Sequence, residues 1–480
     1  MATIGGTATT TLDKAPSDLR LTPETYTTVD NLVKTTKDFV LPDLVQSYGD
    51  QGITGFLNLV GAVKAGGTSD QVDWWEAGRR HKTYAYADGT ISSETVVLDD
   101  AAICGASATD AEGLHVNDVV MDSVTGVRLI VKTRTAGTSV VLVRLDGEIS
   151  SGTAEVNTSG GGTLIHIGNL YGQGTNQPSH FQDADVIKYR NPFMIVKDRY
   201  QVNGSQATNI GWVNLGGGEY RWFMYGEQEA RKRFEDRREM MMLFGEIRDG
   251  ASDGTSDAIA ATAKLGGTNT EAAGSQGYVS AVEERGIVVS NANANPMDSF
   301  AEFDDLILQL DKQGAPSEYA MYLNRKQDLA VDDMLASGIA TSVTAGLPGQ
   351  FGAFNNDADM AVKLGFKSFT RGGYTFHKHD WKLLNDPTLM GASNYLQGAM
   401  IPLTNVTDAR SGMKAPALAM YYKEANGYSR ELDHWVTGGG VMGHSNNGDT
   451  GADVATFHYR SEIALCTRAA NQHVIIKGTA

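Results

Sequence analysis

The sequence predicts an α+β protein, and three observations predict it. Strand-like runs bounded by turn signals occupy Thr95 to Leu170, one long charged amphipathic helix fills Gly218 to Asp249, and helices alternate with strands beyond Ser299. The 480 residues suffice for one large core or two to three ordinary ones, and 41% hydrophobic content is normal for a soluble globular chain. With 55 glycines against 11 prolines, tight turns and loops should outnumber rigid linkers.

Residues 1 to about 70 read as an arm. Ala2 to Thr11 is small and threonine-rich with no apolar period, and helix-start chemistry follows at Ala15-Pro-Ser-Asp and Thr22-Pro-Glu24. Val72-Asp-Trp-Trp-Glu76 then sets two aromatics among acids, just before Arg79-Arg-His-Lys82. Such a cluster serves either as an anchor onto a neighbour or as an ordinary strand edge.

The period changes to two from Thr95. The runs 94–99, 115–121, 127–133, 139–145 and 163–167 are separated by turns at Thr125-Gly126, Ala136-Gly137 and Asp146-Gly147, which predicts a β meander. Arg128, Lys132 and Arg134 share one parity and Val127, Leu129 and Val131 the other, so one face should be basic and the other packed. A ribbon of few strands is marginal unless its apolar side is covered, and a neighbouring subunit would supply that cover.

In the long helix, Phe223, Ala230, Phe234, Met241 and Phe244 form the apolar stripe, and Gly250 with Ser252-Asp-Gly-Thr255 stops it. Some thirty residues extend ~45 Å at the helical rise. The opposite face mixes Glu227, Glu229, Arg231, Lys232, Arg233, Glu235, Asp236, Arg237, Arg238 and Glu239, which suits a solvated surface or an ionic seam between subunits better than a nucleic-acid patch. Residues 250 to 280, rich in Gly, Ala, Ser and Thr, read as a long loop. Ser299-Phe-Ala-Glu302 has capping-box spacing before the stripe Phe300, Phe303, Leu306, Ile307 and Leu310, closed at Gly314. A further helix starts near Asn324, with Leu329, Met334 and Leu335 inward and Gly338 beyond its end; strands follow at 374–379, 417–422, 462–466 and 473–476.

Chemistry is sparse. Cys104 and Cys466 form no disulfide framework or thiolate cluster, and nothing reads as a signal peptide or membrane span, so a reducing cytoplasm is expected. His377 and His379 share a strand face near Asp380, yet no third metal ligand is identifiable. The glycine triplets at 160–162, 216–218 and 438–440 lack the Gly-Lys-Ser/Thr of a phosphate loop and read as turns, and no Gly-x-Ser-x-Gly elbow occurs. Lys plus Arg number 40 against 57 Asp plus Glu, and the net charge of −17 opposes wrapping a polyphosphate by bulk attraction. No catalytic, cofactor-binding or metal-ligating residue is assigned, and no enzyme activity is expected.

The order of these segments resembles the tailed-bacteriophage major capsid proteins of the Hong Kong 97 fold. The resemblance rests on Val72 to Ala77, His115 to Met121, Val127 to Thr133, Ser139 to Arg144, Ile165 to Asn169, Val186 to Phe193, the helix Gly218 to Arg248, and Tyr459 to Leu465 with Ala470 to Ile475. It implies an N-terminal arm with lead-in over 1–93, an extended β loop over 94–185, a peripheral domain over 186–300 with its spine helix at 218–249, an axial domain with a mixed sheet over 301–455, and C-terminal core strands over 456–480. It implies too a structural subunit that assembles as hexamers and pentamers into an icosahedral or prolate head, holding double-stranded DNA by containment without sequence-specific binding, built in the host bacterial cytoplasm and resident in the virion. Portal, separate scaffolding and decoration or head-completion proteins are the expected partners, with no membrane. Candidate subunit contacts are Trp74, Trp75, Arg128, Lys132, Arg134, Arg144, Glu229, Arg231, Arg233, Arg237 and Arg238. A tail tube or sheath subunit is the alternative, and a carbohydrate-binding protein using Trp74, Trp75, Trp212 and Trp222 a further one.

Overall fold

The computed structural model describes residues 63–79, 81–86, 95–98, 113–134, 139–146, 161–178, 186–205, 222–247, 274–290, 296–344, 367–393, 395–403, 406–407, 414–438 and 454–478. The arm helices, the Ala136-Gly137 turn, the glycine triplet at 216–218 and most of the 250–280 loop lie outside these residues.

The first ten strands are β1 (Val63–Ala65), β2 (Gln71–Ala77), β3 (Thr83–Tyr86), β4 (Thr95–Val97), β5 (Asp118–Asp122), β6 (Arg128–Arg134), β7 (Ser139–Arg144), β8 (Gly162–Asn169), β9 (Val186–Pro192) and β10 (Met194–Asn203). β2 and β9 form an antiparallel ribbon from Gln71↔Pro192 to Ala77↔Val186. β3 to β8 are inserted between its strands and make one sheet in the order β3-β8-β5-β6-β7-β4. Tyr86, ending β3, bridges Leu98 just past β4, so the sheet returns to its first strand. The result is a small closed barrel, not the expected open meander. Alternate residues point inward: Tyr84, Tyr86, Val96, Leu98, Leu114, Val120, Leu129, Val131, Val140, Leu142 and Leu164 are buried together in a core of their own. Closure corrects the expectation that a neighbour must cover the apolar side, because that side is already the barrel's interior.

One polar knot sits in this core. The Tyr86 hydroxyl donates to Asp122 Oδ1 at 2.7 Å, and Thr125 donates to Asp122 Oδ2 through its backbone N–H at 3.0 Å and its hydroxyl at 2.6 Å. Burial alone would raise the Asp122 carboxyl, but these donors outweigh it and hold the group below the usual carboxylate range. A Cβ at Gly162 would lie 2.5 Å from the Tyr86 hydroxyl, so this one glycine makes room for a core tyrosine.

The remaining elements are α1 (Trp222–Phe244), α2 (Tyr278–Arg285), β11 (Ile287–Ser290), α3 (Phe300–Gln313), β12 (Glu318–Leu323), α4 (Arg325–Thr344), β13 (Ser368–Arg371), β14 (Tyr374–Asp380), β15 (Leu396–Pro402), the short pairs β16 (Val406–Thr407) with β17 (Lys414–Ala415) and β19 (Glu424–Ala425) with β20 (Tyr428–Ser429), β18 (Leu418–Tyr422), β21 (Asp433–Gly438), β22 (Val454–Thr467) and β23 (Val474–Lys477). Contacts divide the described chain into a smaller unit, Lys197–Asp236 with Asp433–Arg460, and a larger one holding the rest.

In the larger unit a mixed six-stranded sheet runs β11-β23-β15-β12-β14-β13, with β11–β23 and β12–β14 parallel and β23–β15, β15–β12 and β13–β14 antiparallel. Its strands serve two cores by alternation. Met400, Val474 and Ile476 face Phe303, Leu306, Ile307 and Leu310 of α3 with Val331 and Met334 of α4. Ala399, Ile401 and Ile475 face the other way, toward Tyr278, Val279 and Val282 of α2. The second core continues through Leu418, Met420, Ile463 and Leu465, where β18 pairs with the C-terminal half of β22.

At α3 Ser299 accepts from the Glu302 N–H as the capping-box spacing predicts, while the Glu302 carboxylate accepts from the Asp298 N–H at 3.0 Å, and Gly314 ends the helix at φ 63°. Two expectations for α4 are corrected. Asn324 caps the Gln327 N–H at 2.7 Å, but Leu329 is 55% exposed while Val331 is buried, and the helix runs through Gly338 to Thr344. One interior glycine costs a helix only ~1 kcal/mol, too little by itself to end it.

In the smaller unit β21 pairs with the N-terminal half of β22 from Asp433↔Arg460 to Gly438↔Ala455, and β10 is also a neighbour of β22. Phe234 of α1 stacks on Tyr459 at 5.8 Å, and Tyr200 lies 6.2 Å from Phe457. Gly226 permits the approach of strand to helix, since a Cβ there would lie 2.2 Å from the Tyr200 hydroxyl.

Candidate assembly surfaces

On the barrel, Arg128 and Lys132 of β6 are exposed and Leu129 and Val131 buried, as the alternation requires. A bulge between Val131 and Thr133 then shifts the parity by one. Arg134 consequently pairs with buried Val140, and its guanidinium lies 3.2 Å from the His115 ring. Arg144 shares the parity of buried Leu142 and is ion-paired to Asp146 at 2.9 Å. The basic face read as Arg128, Lys132 and Arg134 therefore reduces to its first two members. Sequence gave no sign of the bulge. The outer surface also carries exposed Val116, Ile165, Ile167 and Leu170.

The ribbon separates its two tryptophans by strand alternation. Trp74 is buried, 6.0 Å from Tyr189, with the Arg285 guanidinium 5.8 Å from its ring and its Nε1–H donating to Glu76 at 2.9 Å. Trp75 is 64% exposed on the other face, with Lys188 5.6 Å above its ring and Lys188 paired to Asp73 at 2.6 Å. Val186 and Ile187 are exposed beside it in the ribbon. At the ribbon's inner end Asn191 is fully engaged: its amide donates to Leu465 O at 2.6 Å and Gln276 O at 2.9 Å, and its oxygen accepts from Gln276 N at 2.8 Å and Ser275 Oγ at 3.0 Å. No sequence signal marked that anchor; a lone Asn before a proline reads as a turn.

Along α1, Arg231, Arg233 and Arg237 are exposed and Glu229 is half-buried, with Arg231–Glu235 at 3.2 Å and Lys232–Glu229 at 3.6 Å as local pairs. The inner stripe follows i+4 steps through Ala230, Phe234, Arg238 and Met242, joined by Glu239 and Leu243. Met241, expected inside, is 42% exposed, and Arg238, expected outside, is buried and donates to Glu431 O at 3.3 Å. A seven-residue step turns only about 20°, so Met241 points much as Phe234 does; it is the buried face that moves round the helix, from Phe234 to Met242 and Leu243, and leaves Met241 outside. The Phe223 side chain lies outside the described residues.

Among the described residues no group of His, Cys, Asp and Glu is arranged to hold a metal ion. His379 stacks on Tyr322 at 5.0 Å, and its pKa is lowered by burial and by His377, while Asp380 takes Arg325. Among the described residues, no helix is long and apolar enough to cross a membrane.

No protein-family model matches the chain, and no curated protein matches it. Among solved structures, the capsid of the Cyanophage P-SCSP1u is similar over 98% of this chain and 99% of that one, at 9% identity and TM-score 0.40. The asymmetric unit of the bacteriophage PhiM1 mature capsid is similar over 97% and 98%, at 8% identity and TM-score 0.39. A structure from Mycobacterium phage Ogopogo is similar over 94% and 100%, at 6% identity and TM-score 0.42.

Proposed function

We propose that this chain is the shell-forming subunit of a tailed-bacteriophage head with the Hong Kong 97 fold, structural in role and without turnover chemistry. The observation that carries the reading is the β2–β9 ribbon: it bears a separately cored barrel, yet leaves Trp75, Val186 and Ile187 exposed along its length. Exposed apolar surface on so slender an element is covered when a neighbouring copy packs on it. The order of ribbon, long helix, mixed sheet and returning strand β22 supports the same reading. The extended loop is then the whole ribbon-and-barrel segment from Gln71 to Pro192, wider than the 94–185 read from sequence.

Copies join as hexamers and pentamers around double-stranded DNA, with portal, scaffolding and decoration proteins as partners, in a virion assembled in the bacterial cytoplasm. Trp75, Arg128, Lys132, Glu229, Arg231, Arg233 and Arg237 are the contacts we assign to neighbours. Trp74 and Arg238 are buried in their own chain, and Arg134 and Arg144 stand on the parity of buried Val140 and Leu142, so these four drop out of that set. Many modest contacts repeated over a closed assembly give a durable shell.

Negative-stain microscopy of the purified chain tests this. Closed shells or capsomers are expected, and a Trp75→Ser variant should stay folded but lose them. Tubes would favour a tail protein, and discrete small particles that bind oligosaccharide would favour the third reading.

A further inference from the structure

The smaller unit sorts its charges by strand alternation. Asp198 and Tyr200 of β10, Phe457 and Tyr459 of β22, and Glu227 of α1 lie on the side that packs on the helix, where burial and Glu227 push the Tyr459 hydroxyl up to about 12. The opposite side presents Lys197 and Arg199 from β10, His458 and Arg460 from β22, and Asp433 and Trp435 from β21. Lys197 and Arg199 are exposed and form no ion pair among the described residues. Tyr200 lies against Phe457, so alternation along the two strands puts Arg199 and His458 together on the opposite side, where burial first and Arg199 second lower the His458 pKa. Asp433 is committed to Arg460 at 2.5 Å, and Trp435 is stacked with His458 at 5.0 Å and with the Arg460 guanidinium at 4.9 Å.

We propose that this outer sheet face of β10, β22 and β21 binds the phosphate backbone of double-stranded DNA without regard to sequence. Its named charged groups are three cations and one carboxylate, on a chain whose net charge is −17. That local reversal is the complementarity a polyphosphate needs. Bulk acidity does not forbid it, because charges beyond about 10 Å are screened at moderate salt. The ring of Trp435 is already engaged by His458 and Arg460, so contact runs through phosphates and not through stacked bases.

The proposal does not depend on shell formation, and the test uses full-length chain that sedimentation shows to be unassembled. Binding of a labelled random-sequence duplex is followed by fluorescence anisotropy across a salt series. The unaltered chain should bind, with affinity falling steeply as salt rises. Lys197→Gln with Arg199→Gln should weaken binding roughly tenfold or more and cut the slope of log K against log salt by about 2, one phosphate contact per cation. The charge-conserving Lys197→Arg with Arg199→Lys should bind as the unaltered chain does, which separates charge from fold. Arg128→Gln with Lys132→Gln on the barrel should change nothing. Absent salt-dependent binding, an equal loss from the barrel pair, retained affinity in the β10 double variant, or equal competition by polyglutamate would each overturn the assignment.

Discussion

Asp122 and His473 show how much one buried polar group can decide. Asp122→Ala removes a buried carboxylate that accepts from the Tyr86 hydroxyl and from Thr125 in the adjoining turn, and should lower stability by about 2 to 4 kcal/mol in urea unfolding. Tyr86→Phe, which leaves Asp122 its Thr125 donors, should cost about 1 kcal/mol. His473 is buried beside Tyr278, with Nδ1 3.3 Å from the hydroxyl, and burial foremost, with Arg285 adding repulsion, brings its pKa from 6.5 down to about 3. Between those values the unfolded chain binds a proton that the folded chain refuses, so stability is full above pH ~6.5 and falls as pH drops toward 3, by on the order of 4 kcal/mol. Denaturant titrations at stepped pH should show that slope, and His473→Phe should flatten it. A variant with an unchanged slope would move the acid lability elsewhere.

At the scale of elements, the two adjacent arginines of α1 give opposite expectations. Arg237→Glu leaves an exposed position exposed and should shift the melting temperature little while impairing assembly. Arg238→Glu puts a carboxylate beside the Glu431 carbonyl in a buried site and should cost about 3 kcal/mol or more before any assembly is measured. Thermal melts of the two single variants read the difference directly. The sequence showed where α1, α3 and most strands lie, because apolar period, a Ser299 cap and the Gly126 and Gly314 turns are local signals. It misplaced Met241 and Leu329, since what packs on each turn of a helix decides which face is buried there, and Arg134, since one bulge reverses a strand's parity. It missed α2 altogether, whose eight residues carry no side-chain cap hydrogen bond and follow a polar loop.

For the whole molecule, barrel closure was the least legible feature: it depends on Tyr86 meeting Leu98, and pairing between distant strands leaves no periodic trace. A core that shares no residue with the other two makes the barrel separable. Replacing residues 78–185 by a short Gly-Ser linker should leave amide protection intact in the mixed sheet while abolishing closed particles. Hydrogen exchange reads the first outcome and microscopy the second; lost protection around Ile475 and Met400 would refute separability.

The place of β23 in that mixed sheet also sets a clock. It lies between β11 and β15, so among the described strands β11 has no partner, and β15 only β12, until β23 has been made. At 5–20 residues per second, β11 waits roughly 10 to 40 s after its own synthesis. Nascent chains and prematurely terminated fragments lack the finished sheet throughout that interval. A product truncated before Val474 therefore lacks both the β11–β23 and the β23–β15 pairings and should be cleaved by protease faster than the whole chain.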